Sequence, residues 1–259
     1  MNKPKKNKSF QVNVFQNRIV AYALAFATIL AFITFVIVRQ TGTFSLALYR
    51  PYVTLIRNGL VNTIVVSFVA LVLSLIIGFI FYLMSISKIQ YFRAFTEVFT
   101  EIIYGTPLLV LIVISAFVIG PAFNSLDRNT MGYIGLITYM TPYMKNVYKS
   151  AISSISDEQY LAMDLFGFTP YQRYRYIIIP QVIRVLMPPM MNNFSQIVKG
   201  SALLNVIAYG ELFYSIRVAQ SQNFAFIEGY MLVWVLYLVI TIPLSQLTRY
   251  IERRWSLWK

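Results

Sequence analysis

The chain has 259 residues, 58% of them hydrophobic and 12% charged. Soluble domains average roughly 45–50% and about 25%, and a soluble domain this apolar could not cover its surface with polar groups. Cys and His are both absent, which excludes disulfides, thiolate nucleophiles, His-based triads and the usual zinc and haem sites. A net charge of +13 then reads as basic loops on one membrane face, not as nucleic-acid binding. The composition is that of an integral membrane protein.

In chain order, Lys3, Lys5, Lys6 and Lys8 precede Ile19–Val38, 20 residues without a charge. A signal-peptide core runs about 7–15 residues, and no A-x-A-like site follows, so this first span reads as a retained anchor. The second span lies within Asn58–Ser87. The third covers Thr96–Gly120, the fourth Met131–Tyr148, the fifth Pro180–Ile207 and the sixth Gly229–Thr248. Each approaches the roughly 20 residues a spanning helix needs, whereas a barrel would show short alternating segments. The expected fold is an all-α polytopic membrane protein with six transmembrane helices. With the N-terminus inside, only Arg39, Arg50, Arg57, Arg128 and Arg217 fall outside. Lys199 lies within the fifth span, and the other Lys and Arg are inner. That asymmetry places both termini in the cytoplasm.

The longest loop, Lys149 to Ile179, is then cytoplasmic. Ser156 or Asp157 can cap a short helix there, Glu158 favours its first turn, and Gly167 fits the position just past its end. Leu161, Leu165 and Phe166 share one face. Thr169-Pro170 can start a second helix, with Thr as cap and Pro at the first helical position; this helix is expected to stop at Pro180. The short helix either lies on the membrane surface or docks in a partner's groove.

Polar groups inside spans are costly and mark cavities or partners. Asn192, Gln196 and Lys199 recur at helical spacing, with Asn193, Ser195 and Ser201 nearby. Pro188-Pro189 can break the helix before them, as in many transporter sites. These residues read either as a solute pathway or as bonds between helices, with Lys199 paired to an acid such as Glu101. Glu101 is the deeper of the two acids near the third span, which Gly105-Thr106-Pro107 can interrupt. No catalytic constellation and no metal-ligand cluster is legible.

Several motifs together resemble the inner-membrane permeases of binding-protein-dependent ABC transporters, in the polar amino acid subfamily. Gln159-Tyr160-Leu161-Ala162-Met163, Gly167 and Ile178-Ile179-Pro180 resemble that family's EAA loop, with Leu161 where the family has Glu and Met163 where it has a second Ala. Tyr104-Gly105-Thr106-Pro107-Leu108-Leu109 resembles its Arg-Gly-Thr-Pro-Leu motif. Pro188, Asn192, Phe194, Lys199, Ser201, Leu203, Val206, Ile207 and Glu211-Leu212 follow its later pattern, with Asn193 where an acid is frequent and Gly200 where Asp is common. Glu252-Arg253-Arg254-Trp255 matches its ending.

The resemblance covers residues 55–255. It implies a five-helix transmembrane domain there, with a coupling loop at 151–180, preceded in 1–54 by a basic tail, an extra helix and an outer loop. It also implies a non-enzymatic permease subunit of the bacterial plasma membrane that imports an amino acid and binds no cofactor. Its partners would be a cytoplasmic ATPase dimer carrying ATP and Mg, a second permease subunit of the same or another kind, an extracytoplasmic solute-binding protein and lipid, with no nucleic acid. This chain contains no G-x-x-x-x-G-K-[ST] phosphate loop, so ATP hydrolysis falls to another chain. Gln159, Leu161, Ala162, Met163, Gly167 and Pro180 would form the ATPase-coupling loop. Glu101, Asn192, Asn193, Gln196, Lys199 and Ser201 would line the substrate pathway. An autonomous secondary carrier or channel for small polar solutes remains the alternative.

Overall fold

A computed structural model describes residues 18–40, 44–125 and 127–256, and every regular element among them is helical. The chain forms two compact units, Met1–Leu48 and Tyr49–Lys259. The first unit contains α1 (Arg18–Gln40), whose large side chains, among them Tyr22, Phe26, Phe32 and Phe35, are exposed. The Thr28 and Thr34 hydroxyls donate to the carbonyls of Leu24 and Leu30, at 2.8 and 2.9 Å. Both polar groups are thereby satisfied within the helix, as a hydrocarbon surrounding requires.

The second unit contains α2 (Val53–Ser85), α3 (Gln90–Gly105), α4 (Leu108–Ala122) and α5 (Arg128–Ile152). After these come α6 (Asp157–Leu165), α7 (Pro170–Ile207), α8 (Leu212–Asn223) and α9 (Phe226–Ser256). Three stretches are long and apolar enough to cross a membrane alone: Val20–Arg39, Leu46–Ser85 and Phe226–Arg254. Two bent pairs, α3 with α4 and α7 with α8, qualify when each pair is taken together.

The expected third span is therefore not one helix. The axes of α3 and α4 meet at 108°, because Pro107 drives Thr106 out of the helical region to φ −105°, ψ 124°. The expected stop at Pro180 and break at Pro188-Pro189 do not occur either. The helix α7 continues through all three prolines. A wide turn at Arg173–Ile178 precedes Pro180, and neighbouring helices inside a bundle commonly make up for the donors that prolines remove.

The fourth expected span is α5, 25 residues long and so about 37 Å at 1.5 Å per residue. It is too polar to qualify as a span by hydropathy, yet it packs against α2, α4 and α7 at the middle of the bundle. Its Leu136, Ile137, Met140 and Met144 meet Val66, Ala70 and Leu71 of α2, Ile112 and Ala116 of α4, and Ile197 and Leu204 of α7. A second cluster joins Tyr49, Ile56, Leu212, Ile216 and Ala219, backed by Leu236, Tyr237 and Ile240 of α9.

Close approach of the backbones fixes these contacts. A Cβ at Gly59 of α2 would lie 2.3 Å from Ser215 Oγ and 3.0 Å from the Glu211 carbonyl of the facing segment. Gly59→Val should thus cost about 1–3 kcal/mol of stability by overpacking. Thermal unfolding in detergent should show a lowered midpoint for Gly59→Val and an unchanged one for Gly105→Ala, where an added methyl meets open space.

Candidate functional site

Two regions carry the predicted site residues. The first is the loop after α5. Ser156 occupies the N-cap position of α6 in an extended conformation, but its side chain makes no capping bond. At the other end Gly167 adopts φ +67°. Its N–H donates to the Asp164 carbonyl and that of Phe168 to the Met163 carbonyl, both at 3.0 Å. This is the left-handed helix stop for which glycine is suited.

Thr169 and Gln172 close a reciprocal capping box at the start of α7. Arg173 binds both flanks of the turn: its guanidinium pairs with Asp164, and its Nε donates to the Phe168 carbonyl at 2.9 Å. Met163 is buried at 3% exposure among Ile155, Ile178, Tyr160, Phe168, Ile177 and Val182. The loop is thereby fixed to α7.

Of the six residues assigned to this loop, Gln159, Leu161, Ala162 and Gly167 are exposed. Met163 points inward, and Pro180 is half-buried within α7. Met163 is therefore an anchor of the loop, not part of its outer face. Leu165 and Phe166 extend that face and are 88% and 81% exposed. The facing pattern of Leu161, Leu165 and Phe166 already marked them in the sequence, but the motif comparison passed over the last two.

The second region is a cavity of about 520 Å³, lined by Leu108 of α4, Tyr139, Met140 and Tyr143 of α5, and Asn193, Gln196, Lys199, Gly200 and Leu203 of α7. Tyr143 donates to the Tyr139 hydroxyl at 3.3 Å. Tyr104 of α3 lies behind, its ring 5.0 Å from that of Tyr143, and Asn146 donates to its hydroxyl at 2.6 Å.

The fold thus brings Asn193, Gln196 and Lys199 together. Asn192 is exposed beside them without lining the cavity. Ser201 is fully buried, its hydroxyl donating to the Val198 carbonyl at 2.9 Å. Glu101 is exposed on α3, away from the cavity wall. Among the described residues no ion pair joins Lys199 to Glu101.

Sequence reasoning missed two polar knots. Lys145, read as an inner-surface cation, is buried on α5 and donates to Thr100 Oγ1 of α3 at 2.6 Å. The one available signal was the pair Glu97 and Glu101, a turn apart on the same helix as Thr100. Glu211 is fully buried as the cap of α8. It accepts from the N–H groups of Phe213 and Tyr214 at 2.8 and 2.6 Å and from the Tyr237 hydroxyl at 2.8 Å. Thr63 of α2 accepts the neighbouring Leu212 N–H at 3.0 Å. The cap itself was legible as an acid before a helix, but its partners were not.

A broken helix pair, a loop fixed to its own helix and a polar cavity beside a central helix fit a membrane transport subunit. Residues 74–257 match the family described as "Binding-protein-dependent transport system inner membrane component", and the chain belongs to that family. The probable glutamine ABC transporter permease protein GlnM of Bacillus subtilis (strain 168) is 31% identical over 197 residues, 76% of this chain and 91% of that protein. The glutamine transport system permease protein GlnP of Escherichia coli (strain K12) is 31% identical over 159 residues, 61% of this chain and 73% of that one. A crystal structure of an amino acid ABC transporter with histidines superposes with a TM-score of 0.74 at 28% identity, covering 82% of this chain and 99% of that one. The chain is therefore a membrane-embedded permease subunit that works with a binding protein and leaves ATP hydrolysis to a separate ATPase.

Removing the Glu211 carboxylate by Glu211→Ala strands two amide donors and the Tyr237 hydroxyl. Loss of such a cap costs about 0.5–2 kcal/mol, and each buried donor left unpaired adds roughly 1–3 kcal/mol. Thermal unfolding of the detergent-solubilised chain should show a clearly lowered midpoint for Glu211→Ala and a smaller drop for Glu211→Gln.

Proposed function

We propose that this chain is the permease subunit of an ATP-driven importer that moves amino acids across a bacterial plasma membrane. Two permease subunits pair around the pathway, a cytoplasmic ATPase dimer drives them, and an extracytoplasmic binding protein delivers the solute. Both termini are cytoplasmic. Residues 55–255 form the transport domain, with α1 and its flanks in 1–54 as an addition. The names of the relatives, glutamine and amino acid permeases, support the solute class.

The observation that carries this reading is the division of the short helix α6 into two faces. Met163 is fixed inside the chain, while Leu161, Leu165 and Phe166 stand uncovered. An apolar ridge on a polar loop, held rigidly from behind, fits a groove in a partner. ATPase closure then moves α6 as a rigid body. The Asp164–Arg173 pair and the Met163–Ile178 contact pass the movement to α7. Because α7 runs unbroken from Pro170 to Lys199, the displacement is carried roughly 40 Å along it, at 1.5 Å per residue, to the cavity. There Asn193, Gln196 and Lys199 meet the solute, with Asn192 beside them.

Leu165→Asp should reduce co-purification of the ATPase at least tenfold while the bundle's unfolding midpoint stays unchanged, since the side chain touches little within the chain. An undiminished ATPase yield would place the docking surface elsewhere. Lys199→Met should lower amino acid uptake at least tenfold with the ATPase still bound, measured with radiolabelled solute in whole cells. Normal uptake would remove Lys199 from the pathway.

A further inference from the structure

We infer that the cavity between α5 and α7 sorts amino acids by charge, passing those with neutral or acidic side chains and rejecting those with cationic ones. The inference rests on the amino acid reading above and adds the side-chain class. Among the nine lining residues Lys199 is the one charged side chain; the others are amides, phenols, apolar groups and a glycine.

A zwitterionic solute is matched by this set. Its carboxylate takes the Lys199 ammonium, a charge-assisted bond. Its ammonium faces the Tyr139 and Tyr143 rings and hydroxyls and the amide oxygens of Asn193 and Gln196. A second cation on the solute needs a carboxylate, and all nine acids of the chain lie elsewhere. Asp157, Glu158 and Asp164 belong to the α6 loop, and Glu252 to the last turns of α9. Asp127 caps α5 and accepts from the Asn129 amide. Glu228 is buried at the start of α9.

Glu211 is fully enclosed, its oxygens taken by Phe213, Tyr214 and Tyr237. Glu97 and Glu101 are exposed on α3. Glu101 lies one turn before Tyr104, whose ring packs against the Tyr143 that lines the cavity, and Glu101 itself is not among the lining residues. A lysine or arginine side chain would thus meet the Lys199 ammonium across the cavity with no counter-charge from this chain, and like charges at such close range repel.

The test uses the intact permease–ATPase complex in lipid nanodiscs without binding protein, so that the binding protein's own preference does not enter. Radiolabelled glutamine, glutamate, lysine and arginine are titrated to millimolar concentrations, and uptake of the same four by cells is measured in parallel. Glutamine and glutamate should bind at least tenfold tighter than lysine and arginine. Lys199→Gln should shrink that ratio to under threefold, and Asn193→Asp should reverse it. Lysine or arginine binding as tightly as glutamine to the unmodified complex overturns the charge rule while leaving the amino acid reading intact. A ratio unmoved by both variants likewise overturns the role of this cavity. Binding of none of the four, with uptake of none, overturns the amino acid reading itself and the charge rule with it.

Discussion

Hydrocarbon offers no hydrogen-bond partner, so each polar group at membrane depth has to find one within the protein. The central position of α5 follows from that constraint. It carries Tyr139, Thr141, Tyr143, Lys145 and Asn146 through the middle of the chain, and each is handled by a neighbour or by its own helix. Thr141 returns its hydroxyl to the Ile137 carbonyl. Lys145 reaches Thr100, and Asn146 reaches Tyr104. Tyr133 donates to the Val66 carbonyl of α2 at 3.1 Å. The helices α2 and α4 pack against α5, and α9 against α7, with apolar faces exposed outward and small hydroxyl side chains such as Thr63, Ser74 and Thr241 turned inward. The cavity lies where α5 and α7 turn their remaining polar groups toward each other.

The same shortage of partners shapes the junctions. Chain breaks at 106–107 and at 208–211 expose backbone groups that helices would otherwise consume. At the second break Ala208 turns left-handed at φ 62°. Asn205 donates to the Ala202 carbonyl and accepts from Arg217, and Glu211 caps α8. Asn205 and Glu211 thereby satisfy backbone groups at the turn, and Arg217 bonds the Asn205 side chain. The turn is consequently a firm corner, able to hold α7 and α8 at a fixed angle.

The loop after α5 shows a comparable economy. The α6 helix is too short to be stable alone. One buried methionine, one ion pair, the Gly167 stop and the capping box that opens α7 give it a fixed pose. The anchor on one side fixes it to α7, and the apolar ridge on the other stays exposed. From there α7 runs on through Pro180, Pro188 and Pro189 as far as Lys199.

Local chemistry made much of this readable. Long apolar runs declared the membrane spans of α1, α2 and α9. Gly167 announced a helix end, Thr169-Pro170 a helix start, and Gly105-Thr106-Pro107 a break. Each of these depends on neighbours a few residues away and on backbone sterics that sequence states directly. What the sequence could not decide was direction. Lys199 and Ser201 are two residues apart on one helix, yet the first lines a cavity and the second is sealed in the bundle. Met163 faces inward while Ala162 faces out. Glu211 finds Tyr237 and Leu212 finds Thr63, 26 and 149 residues away. Helical spacing sets which residues share a face, but which face is core depends on where other helices settle, and that is decided by tertiary packing.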